Sequence, residues 1–139
     1  MNNRKVTSIF KIFIAVLLLF AVALSVCSCA NSMKKNLKQS TSDILNAIIN
    51  KDQAAITDLL KDYYATDEIE LMYADLVMAL DGVSNFKIKR CKYEIVEVSE
   101  QSLVIMTATV KTNKGEFIVE THTYTRAEGI SNIIITPAE

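Results

Sequence analysis

Apolar residues from Leu37 onward recur every three or four positions, which is the spacing of one face of an α-helix. Over 37–50 this spacing predicts a first helix, whose apolar face is made of Leu37, Thr41, Ile44, Leu45, Ile48 and Ile49. Asp52 then stands where a helix needs an N-cap side chain. The second helix, which begins there, has an apolar face made of Ile56, Leu59, Leu60 and Tyr63.

A third helical pattern begins at Asp67, and Glu70 follows three residues later, as in a capping box. The apolar stripe of this helix is Ile69, Met72, Tyr73, Leu76 and Leu80. Asp81 and Gly82 come next, and glycine readily takes the left-handed conformation that ends many helices. The pattern therefore predicts three helices before the strands begin.

From Phe86 the spacing of the apolar residues changes to two and β-branched residues become frequent, which indicates strands. The predicted strands cover 86–98, 103–111, 116–126 and 130–136, separated by the short turns SEQS, TNKG and AEG. Turns of this length connect antiparallel neighbours. The predicted fold class is therefore α+β, with three N-terminal helices packed on a curved four-stranded antiparallel sheet over 37–137.

Two irregularities in the strand pattern bear on shape and assembly. Phe86 and Ile88 alternate in one phase whereas Cys91 and Tyr93 alternate in the other, which predicts a bulge or bend in the first strand. The second strand has apolar residues in both phases at its start. Helices cover only one face of it, so we expect the other face to close on itself, to hold a ligand or to form a homodimer through the sheet.

Charged side chains are distributed unevenly along the chain of 139 residues, which has 16 acidic and 15 basic residues. Arg4, Lys5 and Lys11 are the only charged residues before Lys34, and the acidic residues begin at Asp43. The part of the chain after residue 28 is therefore acidic overall. Because phosphate binding needs a clustered excess of cations, we expect no nucleic-acid partner.

The N-terminal cations are followed by the apolar run IFIAVLLLFAVALSV over 12–26. A helix of this length spans about 22 Å, which is short of the roughly 30 Å hydrocarbon core of a bilayer. The arrangement is typical of a secretory signal peptide. A permanent transmembrane anchor is the alternative, because the uncharged stretch continues through Ala30.

The segment ALSVCSCANS resembles the lipobox of bacterial lipoproteins, in which a branched apolar residue at −3 and a small residue at −1 precede the lipidated cysteine. With Cys29 as the lipidated residue, Val26 is at −3 and Ser28 at −1. With Cys27 instead, the branched Val26 occupies the −1 position, so we favour Cys29 and keep Cys27 as the alternative. The resemblance implies a signal peptide at 1–28, a lipidated cysteine and tether at 29–36, and a lipid-anchored protein on the extracytoplasmic side of the cell membrane.

The run ILNAIINKDQAAITDLL and the closing segment GISNIIITPAE resemble small extracytoplasmic lipoproteins of the nuclear-transport-factor-two-like superfamily. This resemblance implies a helical layer packed in the concave side of a strongly bent antiparallel sheet. A cystatin-like sheet is the alternative. Members of that superfamily include isomerase-like and cyclase-like enzymes as well as proteins without catalytic activity, so the fold does not select the function.

The leading functional hypothesis is a non-enzymatic binding domain for a small apolar ligand or a protein partner, with Tyr63, Tyr73 and Met106 as candidate pocket residues. The first alternative is an isomerase-like or cyclase-like enzyme, in which Asp62 acts as a base beside a tyrosine. The second is a surface immunity lipoprotein. We expect no cofactor and no metal, because the whole chain has only three cysteines and one histidine.

Overall fold

Three helices precede the strands in the computed structural model, which describes residues 30–125 and 129–139. Within these residues, α1 covers 30–49, α2 covers Gln53–Leu60 and α3 covers Thr66–Ala79. Residues 33–139 form one compact unit. The predicted signal peptide and both candidate lipidation sites, Cys27 and Cys29, lie outside the described residues.

The strands of this unit form one antiparallel sheet. They are β1 (Phe86–Val98), β2 (Gln101–Thr112), β3 (Gly115–Tyr124) and β4 (Asn132–Pro137), and each pairs with the next in the order β1-β2-β3-β4. Such a meander needs only short connections, as the polar turns indicated. The predicted α+β class, with three helices and a four-stranded antiparallel sheet, is confirmed for the described residues.

The first helix starts earlier than its apolar pattern suggests. Residues 30–36, which we predicted to be a tether, are helical and continue into the rest of α1. This segment has no glycine or proline, its methionine and lysines are good helix formers, and Met33 packs against the hydrophobic core. The helix ends where predicted, since Lys51 takes a left-handed φ of 56° and the Asp52 N–H donates to the Ala47 carbonyl at 2.8 Å.

The helix caps agree with the prediction at α2 and differ from it at α3. The Asp52 carboxylate accepts a hydrogen bond from the Ala55 N–H at 3.1 Å, which confirms it as the N-cap of α2. At α3 the N-cap is Ala65, and the carboxylate that accepts from its N–H, at 2.9 Å, belongs to Glu68. The prediction of Glu70 was wrong because the partner in a capping box stands three residues after the cap, and the cap lies further upstream.

The irregularity predicted in the first strand is confirmed as a shift of register between Ile88 and Arg90. Lys89 is therefore the extra residue of a bulge, and the shift brings Ile88 and Cys91 onto the same face of the sheet. No second shift follows in β1, so Val96 lies on the face opposite to Cys91. It is 37% exposed there.

The last strand starts later than predicted, at Asn132 instead of Ile130. The Ile130 N–H donates to the Leu59 carbonyl of α2 at 2.9 Å, so this residue pairs with a helix and not with a strand. The third strand ends at Tyr124, before the predicted end at 126, a position that lies outside the described residues.

The hydrophobic core lies between the helices and one face of the sheet. Its fully buried side chains come from both layers and include Leu37, Ile44, Leu45, Ile48, Ile56, Leu60, Val104, Met106, Val110 and Val119. A polar pair joins the layers, since the buried hydroxyls of Thr41 in α1 and Thr121 in β3 are 2.7 Å apart. The Thr41 hydroxyl donates its hydrogen to the Leu37 carbonyl at 2.8 Å. Because a hydroxyl has one hydrogen, Thr121 is the donor in the pair.

Candidate functional site

The three predicted pocket residues lie in different surroundings. Met106 is fully buried in the core, and the Tyr73 hydroxyl donates to the Lys51 carbonyl at 3.1 Å. The ring of Tyr63 lies beside the ring of Tyr124, with their centroids 6.1 Å apart. None of the three lines the cavities described below, so a pocket formed by them stays a prediction.

The face of the sheet that carries the core is filled by side chains. Val104, Met106 and Val119 are at most 1% exposed beneath the helices. Asp62, the candidate base of an enzyme, is exposed just after α2. A carboxylate that acts as a base on an apolar substrate needs a buried position beside a hydrogen-bond donor. Asp62 does not have that environment.

One cavity is an open groove of about 650 Å³ between α1 and the start of β1, which we call the lysine groove. Its helical wall consists of Lys35, Lys38, Gln39, Ser42, Asn46, Ile49 and Asn50. Its other wall consists of Ser84, Asn85, Phe86, Lys87 and Ile88.

Both walls of the lysine groove follow from local structure. The residues of the helical wall are spaced by three or four positions, so they form one stripe on α1 beside its buried face. The other wall is held by Asn113, in the turn between β2 and β3. Its side chain accepts from the Ser84 N–H at 2.8 Å and donates to the Gly82 carbonyl at 3.1 Å. Gly82 has the left-handed φ of 72° that this exit from α3 requires.

The lining of the lysine groove combines positive charge with a partly apolar floor. Lys35, Lys38 and Lys87 contribute ammonium groups, and no carboxylate is among the lining residues. Phe86 and Ile88 are half-buried and pack against the core. Ile49 is a third apolar lining residue, and the remaining lining side chains are amides and hydroxyls, which donate hydrogen bonds to an anion. The groove is therefore suited to a ligand with a negative group and an apolar part.

A second cavity, of about 440 Å³, lies between the first turns of α1 and the end of β3. Its lining contains no charged residue and is made of Met33, Asn36, Leu37, Gln39, Ser40, Thr123, Tyr124, Thr125 and Gly129. A third, of about 310 Å³, lies between the end of α1 and the end of α3. The lining of the third cavity has one lysine, Lys51, and one carboxylate, Asp81. Neither cavity therefore has the excess of cations that the lysine groove has.

Two further polar contacts lie on the strands. The single histidine, His122, and Glu120 are neighbours on the face of β3 away from the helices, and their Nε2 and Oε1 atoms are 2.7 Å apart. The centre of the Tyr93 ring, on β1, lies 5.7 Å from the ammonium nitrogen of Lys34 in α1. Burial, together with the neighbouring Cys91, raises the pKa of Tyr93 above its ordinary value, so its hydroxyl is neutral at physiological pH.

The polar stripe that forms the helical wall of the lysine groove is visible in the sequence, but the apolar periodicity gives no reason to assign it to a site. We assigned the lysines at the start of α1 to a tether, although Lys35, Ser42 and Asn46 are spaced as one helical stripe. Their partner wall at 84–88 is distant in the sequence. Only the packing of α1 beside β1 brings the two together.

Within 30–125 and 129–139, no group of three or more acidic, histidine or cysteine side chains is arranged to hold a metal ion. No helix in the same residues is long and apolar enough to span a bilayer. The chain has no significant similarity to a model of a known protein family, to a curated protein or to a solved structure.

Proposed function

We propose that the protein is a lipid-anchored binding domain on the extracytoplasmic side of a bacterial cell membrane, and that its lysine groove binds an anionic amphiphile. The observation that carries the binding part is the lining of the groove, which contains three lysines, the apolar Phe86 and Ile88, and no carboxylate. An anionic group is attracted to these ammonium groups, while an aliphatic or aromatic part covers Phe86 and Ile88.

The address in this proposal depends on the resemblance of the segment around Cys29 to a lipobox. Two acyl chains on one cysteine hold a protein stably at a bilayer, which a single chain does not. The α+β architecture with a bulged first strand supports a nuclear-transport-factor-two-like domain as the anchored unit. We therefore propose both the nuclear-transport-factor-two-like fold and the lipid-anchored location.

Mass spectrometry of the mature N-terminus tests the address. We expect the mature chain to begin at Cys29 and to carry a diacylglycerol on its sulfur. Cys29→Ser should prevent processing, whereas the matched variant Cys27→Ser should be processed like the wild type. Normal processing of both variants would contradict lipidation at either cysteine, and a block by Cys27→Ser alone would move the site to Cys27.

Fluorescence titration with 1-anilinonaphthalene-8-sulfonate, which is an anionic aromatic probe, tests the groove in a fragment of residues 30–139. We expect saturable binding that weakens as salt is added, because the lysines are exposed and their charges are screened. The double variant Lys35→Gln/Lys38→Gln should raise the Kd about tenfold, which corresponds to about 1.4 kcal/mol.

The matched control for this titration is Lys111→Gln/Lys114→Gln. It removes two exposed lysines that are not among the lining residues of the groove. We expect its Kd to equal that of the wild type. An equal loss of affinity in both double variants would show that the probe responds to net charge and not to the groove, and would refute this site.

A further inference from the structure

The outer side of β1 is an unpaired sheet edge within the residues that the structure describes. β1 is a strand of 13 residues, and the sheet order places β2 alone beside it. An edge of this length presents a row of N–H and C=O groups that another strand can pair with. Ile95 and Val96 on it are 45% and 37% exposed.

The charges along this edge are divided into two halves of opposite sign. The half before Tyr93 carries its cations, which are Lys87, Lys89, Arg90 and Lys92. The half after it carries its carboxylates, which are Glu94 and Glu97. Two antiparallel copies of such a strand place the basic half of each against the acidic half of the other, so the edge is complementary to itself.

We propose that two copies of the chain pair through their β1 edges, antiparallel and centred on Tyr93, to form one continuous sheet. The centre follows from the geometry of strands. Residues directly opposite each other lie on the same face, so the two-fold axis passes through a residue. Centring on Tyr93 places Lys92 of each copy opposite Glu94 of the other, which gives two pairs of opposite charge across the axis.

Neighbouring registers are less favourable. An axis through Lys92 places Arg90 opposite Glu94 but also places the two Lys92 residues opposite each other. An axis through Glu94 places two glutamates opposite each other, and like charges directly opposite are destabilising. An axis through Ile95 places Glu94 opposite Val96 and leaves the carboxylate without a cation opposite it. Tyr93 is therefore the centre that the charges select.

The bulge in β1 fits this register. Pairing about Tyr93 uses 90–96 of each copy, and the register shift lies before Arg90, so the paired stretch contains no bulge. Arg90 then stands opposite Val96 and reaches diagonally toward Glu94 of the other copy. Lys34 lies over the Tyr93 ring near the axis, and its long side chain can turn to solvent. The repulsion between the two Lys34 side chains is therefore weaker than the attraction within the two Lys92–Glu94 pairs.

Cross-linking of the full-length protein in its membrane with a zero-length carbodiimide tests the pairing, because this reagent joins an amine to a carboxylate in direct contact. We expect a dimer band whose linked peptides include Lys92 joined to Glu94. Lys92→Glu and Glu94→Lys should each lower the yield of dimer at least fivefold, since each places like charges across the axis and leaves no amine beside a carboxylate there for the reagent to join.

The double variant Lys92→Glu/Glu94→Lys restores opposite charges in reversed order, and we expect it to recover the yield of dimer. Recovery requires residues 92 and 94 of the two copies to be in direct contact, and it shows that the single variants did not fail through misfolding. Lys111→Glu, at an exposed position on β2, serves as the matched control and should leave the yield unchanged. The proposal is overturned if the wild type forms no dimer band, if neither single variant lowers the yield, or if the double variant stays as low as they do.

Discussion

The two edges of the sheet are built in different ways. We call β4 with the preceding Gly129–Ser131 the tied edge, because the Ile130 N–H donates to the Leu59 carbonyl at 2.9 Å and the Tyr64 hydroxyl donates to the Ser131 carbonyl at 2.7 Å. We call β1, on its side away from β2, the free edge. It is more than twice as long as β4. In the described residues each of these two terminal strands pairs with a single neighbour.

This difference shows two ways in which a small sheet limits strand pairing at its edges. At the tied edge, hydrogen bonds to Leu59 of α2 and to Tyr64 in the segment after it give the backbone of residues 130 and 131 specific partners. At the free edge, lysines and a bulge at Lys89 discourage unspecific pairing, as is common at exposed strands. The carboxylates that follow Tyr93 leave one self-complementary register available. The tied edge should therefore contribute to the stability of the monomer, and the free edge to its association.

Gly129→Ala should produce the largest loss of stability, because it breaks the tied edge. Gly129 has a left-handed φ of 83°, and an added Cβ would lie 2.5 Å from the Leu59 carbonyl oxygen. The strained conformation costs about 1–2 kcal/mol, and relief of the clash disrupts the adjacent bond between Ile130 and Leu59. We expect the free energy of unfolding in urea to fall by more than about 3 kcal/mol.

Gly115→Ala is the matched control for this substitution. Gly115 also has a positive φ, of 124°, but an added Cβ would meet no atom within 4 Å. Gly115→Ala should therefore lower the free energy of unfolding only by the cost of the strained conformation. If the two alanine variants were equally destabilised, the clash with the Leu59 carbonyl would contribute nothing to the loss of stability.

The same substitution at one isoleucine of each edge sharpens the comparison. Ile133 on β4 is 7% exposed, whereas Ile95 on β1 is 45% exposed. Ile133→Ala leaves a cavity and should cost about 2–3 kcal/mol, while Ile95→Ala should cost less than about 1 kcal/mol. Urea denaturation of the two variants at low protein concentration measures both. A larger loss from Ile95→Ala than from Ile133→Ala would reverse the roles that we assign to the edges.

Tyr64→Phe should have a smaller effect than Gly129→Ala or Ile133→Ala, because it removes only one hydrogen bond from the tied edge. Loss of the bond to the Ser131 carbonyl should lower the free energy of unfolding by about 1 kcal/mol at pH 7. Burial, and then the charge of Glu68, raise the pKa of Tyr64 above its ordinary value of about 10. The unfolded chain therefore loses this proton first as the pH rises, and the wild type loses stability above pH 10.

Urea denaturation of the wild type and of Tyr64→Phe from pH 7 to pH 11 checks this dependence. The advantage of the wild type over Tyr64→Phe should be constant below about pH 10 and should shrink above it, since phenylalanine has no proton to lose. Tyr93 titrates in both proteins, so its contribution cancels in the difference. An advantage that stays constant up to pH 11 would mean that the pKa of Tyr64 is the same in the folded and unfolded chains.

Most of the fold was predictable because burial imposes a period on the sequence. The apolar stripes on the three helices and the alternation in β1 correspond to the observed buried faces, and the change of phase after Ile88 located the bulge. Helix and strand ends were less predictable. The sequence pattern predicts Ile130 as the first residue of the last strand. In the structure its N–H instead donates to the Leu59 carbonyl of α2, which is distant in the sequence.

The candidate site was less predictable than the fold. A polar stripe on a helix is the ordinary solvent face of an amphipathic helix, so the stripe that includes Lys35 and Asn46 does not by itself distinguish a groove from a solvated surface. Which strand lies beside α1 depends on tertiary packing. The same holds for Thr121. Threonine is common in strands, so the local sequence does not indicate the buried hydrogen bond between Thr121 and Thr41.

The meander also has a consequence for the order in which the chain folds. Each strand pairs only with its neighbour in sequence, so the hairpins can close one after another across turns of a few residues, at little entropic cost. The hydroxyl contact between Thr41 and Thr121 joins positions 80 residues apart, and closing so long a loop is slow. We therefore expect the strands to assemble first and the docking of α1 to complete the native state, which makes that buried threonine pair a late reporter of folding.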